Sequence, residues 1–524
     1  MELLICQDIE AEKYKYKINY RFIIGFNSKA VLFKYNKRCF MLAENFKYRG
    51  LIELFKKISS IPRPTFAEDR IADYICDFAK ERGFFCIKDE ANNVFVRMPA
   101  SRGREGEEAI LLQGHTDMVC EKNADVEHDF YNDGIELYES NGFIRANGTT
   151  LGADNGVAVA IMLYILDGAE GNLISHPTIE CLFTASEEKG LVGAGKFDYS
   201  VVSATKMINM DSADESEIVV GCAGGQRSDI VFSTVSESCS MPFVKVSVKG
   251  LFGGHSGEDI NKGRKNANKL MGRILLKLYK ECDIRLVSLC GGSKDNAIPR
   301  ECEAVIAVRD SNVVRELCKE LEKDIKCELV SDDSAFSLDV ENCKNENGVA
   351  FNGEDTRKII FLISTVADGV FKMCEGLDSI VEYSRNFGIV DADAKKASAT
   401  FVFMTRSAKD TQIEQSSAEL NVYAISLGME HKIVSAYSGW DGSPDSPLCR
   451  AYAECYKELY GKECRVNVIH AGLECGIIKK LCPRLDIISC GPIVLDLHSP
   501  DEALNIASFE RFFAVISAIL SKEY

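Results

Sequence analysis

Several things are missing from this chain of 524 residues, and each absence narrows what it does. No apolar run approaches the roughly 18 residues that a helical membrane span requires, so no membrane role is expected. Basic residues fall short of acidic ones, 62 against 79, for a net charge of −17. Neutralising a phosphate backbone takes clustered Lys and Arg, so no nucleic-acid partner is expected, and the acidic surface reads as simple solubility. No two of the 21 cysteines are spaced C-x-x-C. Their scatter through apolar runs (Cys181, Cys222, Cys290, Cys302) favours reduced, buried thiols in a cytosolic protein over a disulfide framework or a thiolate zinc site. The opening MELLICQDIEAEKYK carries acids where a signal peptide needs a basic region, so a cytoplasmic location is expected.

What remains has the make-up of a soluble globular protein, 46% apolar and 27% charged, and is too long for one hydrophobic core. Its centre is Ala109–Cys120, AILLQGHTDMVC. Ile110-Leu111-Leu112 reads as a buried strand that breaks at Gly114 and delivers His115 and Asp117 just beyond its end. In open α/β sheets that edge is where ligands bind. An imidazole and a carboxylate two apart suit a metal ligand and the group that holds its ring in one tautomer.

Residues 1–45 differ from the rest. Between 11 and 40 they hold eight Lys or Arg against the single acid Glu12. They read as an N-terminal extension, with Met41 as an alternative start. From Asn45 an ordinary domain begins. Thr65-x-x-Glu68 predicts a capping box for a helix with Ile71, Ile75 and Phe78 on one stripe, stopping at Gly83. GTTLGADNG (148–156) leads into an apolar helix with Asp154 at its N-cap. Capping alone explains most such residues, and metal bridging requires other ligands to converge. Thr178–Thr184 predicts a buried strand ending at Glu187-Glu188, and Lys206–Met210 another ending at Asp211.

Past Gly224-Gly225 the pattern changes to alternating strands and amphipathic helices. A faint duplication, its second unit opening with a helix over Thr356–Cys374, predicts two ferredoxin-like β-α-β-β-α-β halves in one inserted domain of about 220 residues. After Asp441 the pattern returns to α/β. The expected organisation is α/β: a discontinuous catalytic domain (46–223 and 443–524) with a mostly parallel sheet flanked by helices, and an inserted α+β lid/dimerisation domain over 224–442.

Two imidazoles and three carboxylates, from His115, Asp154, Glu188, Asp211 and His498, suit Zn²⁺, with Mn²⁺ or Co²⁺ as substitutes. Five side chains are too many for one open site but suit two ions sharing a carboxylate, which together activate water and polarise a carbonyl. Glu187, beside a ligand but not needed as one, is the natural general base. His128, His176 and His431 lack a supporting pattern, and His470 is left open.

The motifs GHTDMV, TLGADNG, ASEEKGLVGA, NMDS, GGHSGEDI, HAGLECG and HSPDE resemble those of the aminoacyl-histidine dipeptidases (peptidase D, Xaa-His dipeptidases), carnosinase-like dizinc metallopeptidases of the cytosol. The resemblance runs from about Phe46 to the C-terminus. It implies that His115 and Asp211 hold one zinc, Glu188 and His498 the other, and Asp154 both, with Asp117 orienting His115. It implies hydrolysis of unblocked dipeptides, Xaa-His and β-Ala-His among them, by a metal-bridging hydroxide with Glu187 as base. The inserted domain would serve as lid and as the interface of a homodimer. His255 would contact the substrate carbonyl or oxyanion in the partner's active site, and Asn296 and Arg406 would grip the substrate's backbone and C-terminal carboxylate. Glu382-Tyr383-Ser384-Arg385-Asn386 departs from the family's hydroxyl-rich turn, which puts strict preference for a C-terminal histidine in question at Tyr383 and Arg385. The rival readings are an N-acyl amino-acid deacylase or tripeptidase of the same superfamily, and a catalytically silent metal-binding scaffold; a scaffold would need the ligands but not Glu187.

Overall fold

The run Ile110–His115 is buried at every position, as a central strand covered on both faces must be. Ile110 and Leu112 enter the core on one face of the sheet and Leu111 the core on the other, the period of two that a pleated strand imposes. The structure, a computed structural model, describes residues 46–168, 175–344, 348–375 and 380–522; the N-terminal extension lies outside them.

Around this strand the parallel neighbours are Ile179–Thr184 and Lys206–Asn209, and Asp486–Ser489 extends the parallel set beyond the latter. The flanks are antiparallel: Val94–Met98 and Phe85–Lys88 on one side, Glu217–Cys222 and Trp440–Asp441 on the other. Arg465–Ile469 lies parallel to Glu217–Cys222. The parallel pairs thus fill the middle, where helices cover both faces. Arg49–Ser59, Asp69–Glu81, Ala153–Asp167, Pro447–Tyr460 and Ile506–Ser521 pack one face, and Glu474–Leu481 the other. Trp440–Asp441, expected at the end of the inserted domain, belongs to this sheet.

Two local expectations change. Asp69–Glu81 carries the predicted apolar stripe but has no side-chain cap; the Glu68 carboxylate accepts from Phe66 N and from Ser186 instead of closing a capping box. The helix expected to run to Cys374 is Gly353–Thr365, because the chain turns extended at Val366 and Gly369–Met373 becomes a strand.

The inserted segment builds a second, wholly antiparallel sheet with its own core. Its first half runs Phe243–Lys249, helix Ala267–Glu281, Arg285–Gly291, Cys302–Ala307, helix Ser311–Lys326, Ser337–Cys343. The spatial order places the fourth strand beside the first, then the third, then the second, which is the ferredoxin-like arrangement. The second half repeats that order with helices Gly353–Thr365 and Asp410–Leu427 and strands Val381–Asp393, Ser398–Ser407 and Glu430–Tyr437. Its first strand, Gly224–Ser233, precedes the first half in sequence. One half is therefore inserted inside the other, which is why the duplication is faint when the chain is read linearly. The halves join edge to edge where Arg285–Gly291 pairs with Val381–Asp393.

Candidate metal centre and active site

Three parallel strands end at one edge and carry the predicted ligands there. His115 is the last residue of its strand, Ala185–Glu188 follow Ile179–Thr184, and Asp211 follows Lys206–Asn209. Asp154 lies in the first turn of Ala153–Asp167, whose first residues receive no side-chain cap of their own. Glu502 supplies one from across the fold, accepting the amides of Leu151 (2.8 Å), Gly152 (2.9 Å) and Asp154 (3.2 Å), where a carboxylate meets the positive end of the helix. Gly114 allows the close approach: a Cβ there would lie 2.3 Å from Asn155 Oδ1 and 2.4 Å from Ala158 Cβ. His498, at φ +61°, sits on the loop between Val494–Leu495 and Ala503–Asn505.

All five predicted ligands come together. His115 Nε2 lies 2.9 Å from Asp154 Oδ1 and 3.5 Å from Asp211 Oδ1. His498 Nε2 lies 3.1 Å from Asp154 Oδ2 and 3.2 Å from Glu188 Oε2. Asp154 thus offers one oxygen to each of two triads, His115–Asp154–Asp211 and Asp154–Glu188–His498, with ligand atoms within 4.8 Å of one another. Glu187 Oε2 is 4.0 Å from His115 Nε2, at the margin of the first triad.

The electrostatics match a site with surplus negative charge. Burial, reinforced by the neighbouring carboxylates and opposed by His115, pushes Glu187 well above the usual carboxylate range. Burial also raises Glu188 and Asp211. Hydrogen bonds to Asp154 and Glu188 lift His498 to about 11. A divalent cation would relieve this surplus. Glu188 Oε1, buried and with no hydrogen-bond partner, is an acceptor left free for one.

Asp117 does more than the sequence suggested. It faces His115 Nδ1 at 3.3 Å and also accepts the amides of Glu187 (3.0 Å) and Glu188 (3.2 Å), so a single carboxylate sets both the imidazole and the Glu-Glu loop. Glu68 holds the same loop from the other side, accepting Ser186 N (2.8 Å) and Oγ (2.9 Å) where Ser186 takes φ +54°.

The three residues expected at the substrate lie outside the ligand cluster. Among the described residues no hydrogen bond or ion pair joins His255, Asn296 or Arg406 to the five-ligand cluster. Arg406 is 4% exposed, with Nη1 on Tyr437 Oη (3.0 Å) and Nε on Ser256 Oγ (3.4 Å), and no carboxylate lies within ion-pair reach among the described residues. His255, on the short strand Gly254–His255, and His470 both feel this guanidinium. The Asn296 carbonyl accepts Ser256 N at 2.8 Å. His470 Nε2 meets Ser384 Oγ of the inserted domain at 2.7 Å, and its Nδ1 is buried without a partner. Burial and then Arg406 lower His470 to about 3. Arg385, expected near the substrate side chain, is fully buried under the helix Asp410–Leu427, bonded to Ser416 (2.9 Å) and Glu419 (2.8 Å); the Tyr383 ring packs at a tilt against Phe371.

Four buried residues escaped the sequence reading. Besides Glu68 and Glu502, Arg63 donates to the carbonyls of Thr116, Asp117 and Gly152, tying the His115 loop to the Asp154 loop. Glu474 accepts from Gln113 Nε2 and Thr184 Oγ1 (both 2.6 Å) beneath the cluster, and burial raises it to about 7. Glu474 and Glu502 fall inside HAGLECG and HSPDE, so the motifs were a signal; Glu68 was visible only as half of a capping box, and Arg63 had no signal, since its partners lie far off in sequence.

Comparison with known proteins agrees with this arrangement. The Peptidase dimerisation domain family matches residues 246–333 and Peptidase family M28 matches residues 93–251. The cytosol non-specific dipeptidase of Escherichia coli is 35% identical over 476 residues, 90% of this chain and 97% of that protein. The crystal structure of aminoacylhistidine dipeptidase from Vibrio alginolyticus superposes with a TM-score of 0.82 at 35% identity, covering 91% of this chain and 97% of that one. A tripeptidase from Staphylococcus aureus shares the fold at a TM-score of 0.53 and 15% identity. Matched over 90% of its length in sequence and 91% in fold, this chain belongs to the family of the cytosol non-specific and aminoacyl-histidine dipeptidases, hydrolases acting on peptide bonds.

Proposed function

We propose that the chain is a dizinc dipeptidase of the cytoplasm that cleaves unblocked dipeptides, Xaa-His and β-Ala-His among them. The observation that carries this reading is Asp154, one oxygen toward His115 and the other toward His498. Two triads sharing one carboxylate suit a pair of borderline cations; Zn²⁺ fits the N/O donor set, and Mn²⁺ or Co²⁺ would substitute. His115 and Asp211 would hold one ion, Glu188 and His498 the other, and Asp154 both. The ions would supply Lewis acidity toward the scissile carbonyl and an acidified water.

The remaining chemistry belongs to the chain. Glu187, raised by burial, suits a base that takes the proton of the attacking water and returns it to the leaving amine. Asp117 keeps His115 in one orientation and fixes the amides from which Glu187 and Glu188 project. Arg406, a buried guanidinium without an acid partner, suits the substrate's C-terminal carboxylate, which would complete a charge-assisted bond. His255 would meet the carbonyl oxygen and Asn296 the backbone of the substrate. The matched dimerisation domain supports a homodimer formed through the inserted domain. The E. coli relative's description as cytosolic supports the cytoplasmic location, and among the described residues no helix is long and apolar enough to cross a membrane.

The test is hydrolysis of Gly-His, β-Ala-His, Leu-Gly, a tripeptide and an N-acetyl amino acid by chelator-stripped protein, before and after adding Zn²⁺ or Mn²⁺. Metal-dependent cleavage confined to the unblocked dipeptides is expected. Cleavage of the acetylated compound alone would reassign the chain to the deacylases, and silence with two metals bound would favour a scaffold.

A further inference from the structure

Among the described residues Phe85–Lys88 is the outermost strand of the catalytic sheet, paired only with Val94–Met98. The chain leaves the helix Asp69–Glu81, turns at Gly83 (φ +72°) and returns along that helix as this strand. Asp73, Cys76 and Lys80 share one helix face, and Cys86 and Lys88 one strand face. The two faces meet in register. Asp73 Oδ1 accepts from Lys88 Nζ at 2.6 Å, and the Cys86 thiol donates to Cys76 Sγ at 3.6 Å. The fold itself, rather than one rotamer, therefore brings the sulfurs together. Cys76 is 5% exposed in the core and Cys86 is half-buried, so the pair is reached from the strand side. The charged groups facing it are Lys80, Lys88, Asp73 and Asp77, none of them a predicted metal ligand. The Cys86 hydrogen bond, with Lys80 and Lys88 behind it and burial against it, brings Cys76 down to about 7. The same bond and burial hold the proton on Cys86.

We propose that Cys76 and Cys86 are a modification site for hydroperoxides, closing to a reversible intrachain disulfide that fastens the helix to the edge strand. The Cys76 thiolate attacks one peroxide oxygen. The O–O bond breaks, hydroxide leaves and takes up a proton from solvent, and the sulfur becomes a sulfenic acid. The Cys86 sulfur then displaces hydroxide from that sulfenic acid, and the hydroxide leaves as water with the Cys86 proton. The two thiols give up the electron pair that reduces the peroxide to water. Burial of Cys76 favours a small oxidant of this class over a bulky disulfide. A low-molecular-weight thiol restores the pair by exchange, so under reducing conditions it rests as dithiol. A disulfide is about 2.0 Å long, which leaves the sulfurs about 1.5 Å to close. The strand can move that far, because its outer side carries no ladder bonds to resist the shift.

The experiment exposes the reduced full chain to dilute hydrogen peroxide, blocks the remaining thiols with iodoacetamide under denaturing conditions and maps tryptic peptides by mass spectrometry. Cys76 falls in peptide 71–80 and Cys86 in peptide 83–88, so their bond appears as one linked species. That species should form about tenfold faster than any other cysteine is oxidised, and vanish on adding dithiothreitol. Its rate should rise through about pH 7 and level off, below the pH at which an ordinary thiol ionises. In Cys86→Ala the linked species is lost and dimedone traps a sulfenic acid at Cys76 instead. The rise in rate then moves up by about one pH unit or more, because the stabilising S–H bond is gone. Cys76→Ala should abolish the linked species as well; should that core variant fail to fold, Cys86→Ala decides. Oxidation of other cysteines ahead of this pair overturns the assignment, as does a linkage found only between covalently joined chains. Hydrolysis is not the readout, so the result stands apart from the dipeptidase reading.

Discussion

His470 shows how one side chain reports on its surroundings. It sits between the domains, bonded to Ser384 on one nitrogen and unpartnered on the other, with Arg406 and His255 as its charged and titratable neighbours. In the unfolded chain an imidazole protonates near 6.5, whereas in the fold this one resists down to about 3. The unfolded state thus takes up the proton first. The stability His470 confers is complete above pH 6.5 and is lost as pH falls toward 3. Between pH 7.5 and 5 that loss amounts to about 2 kcal/mol at 1.36 kcal/mol per unit. His470→Gln removes the titration, so urea unfolding at the two pH values should show the variant losing about 2 kcal/mol less than wild type. Equal losses would mean that His470 protonates freely in the fold.

At the scale of elements, the Glu187-Glu188 loop is held from both sides. Asp117, from the end of Ile110–His115, takes the Glu187 and Glu188 amides, and Glu68, at the start of Asp69–Glu81, takes Ser186. Ser186 is in the left-handed region, which a non-glycine residue occupies only when its surroundings impose it. Glu68→Ala leaves that amide buried and unpaired and frees the loop that aims Glu187. The expected outcome is a 10- to 100-fold fall in kcat with KM little changed, and recovery in Glu68→Gln, whose amide oxygen still accepts. Steady-state kinetics with Leu-Gly decides; a change confined to KM would place Glu68 in substrate binding instead. Thr65-x-x-Glu68 reads as a capping box because the reciprocal local bonds are available, but the tertiary partner Ser186 wins the carboxylate.

Across the whole molecule, the doubled ferredoxin-like unit changes the geometry of the site. A lid with one such half leaves an edge strand free; here that edge is filled from within, Arg285–Gly291 against Val381–Asp393. The loop carrying His255 lies against His470: a Cβ on Gly257 would meet the His470 carbonyl at 2.4 Å. Dimerisation and completion of the site thereby become separate questions. Mixing Glu187→Gln with His255→Ala tests it. If His255 serves its own chain's centre, every subunit in the mixture lacks one needed group, and activity should stay at the level of the separate variants after refolding them together. Recovery toward a quarter of wild type, the level at which half the dimers have one complete site, would show that His255 works across the dimer.

The linear chain picked out four of the five candidate ligands, because His115, Asp154, Glu188 and Asp211 each sit at the end of an apolar strand or the start of an apolar helix, and hydrophobic periodicity places those ends without knowledge of the fold; His498 lies on a loop instead. Parallel strands then bring His115, Glu188 and Asp211 to one edge, as an α/β pattern predicts. Only the tertiary structure revealed what holds them. Arg63, Glu68, Glu474 and Glu502 act through hydrogen bonds to partners 53 to 361 residues away, and no local pattern encodes such pairs. The same is true of the side on which Arg385 is buried and of the first strand of the second half, which is separated from its unit by the whole of the other. Local propensity and burial period are written in neighbouring residues; which distant carboxylate meets which amide is settled by packing, when both must be satisfied away from water.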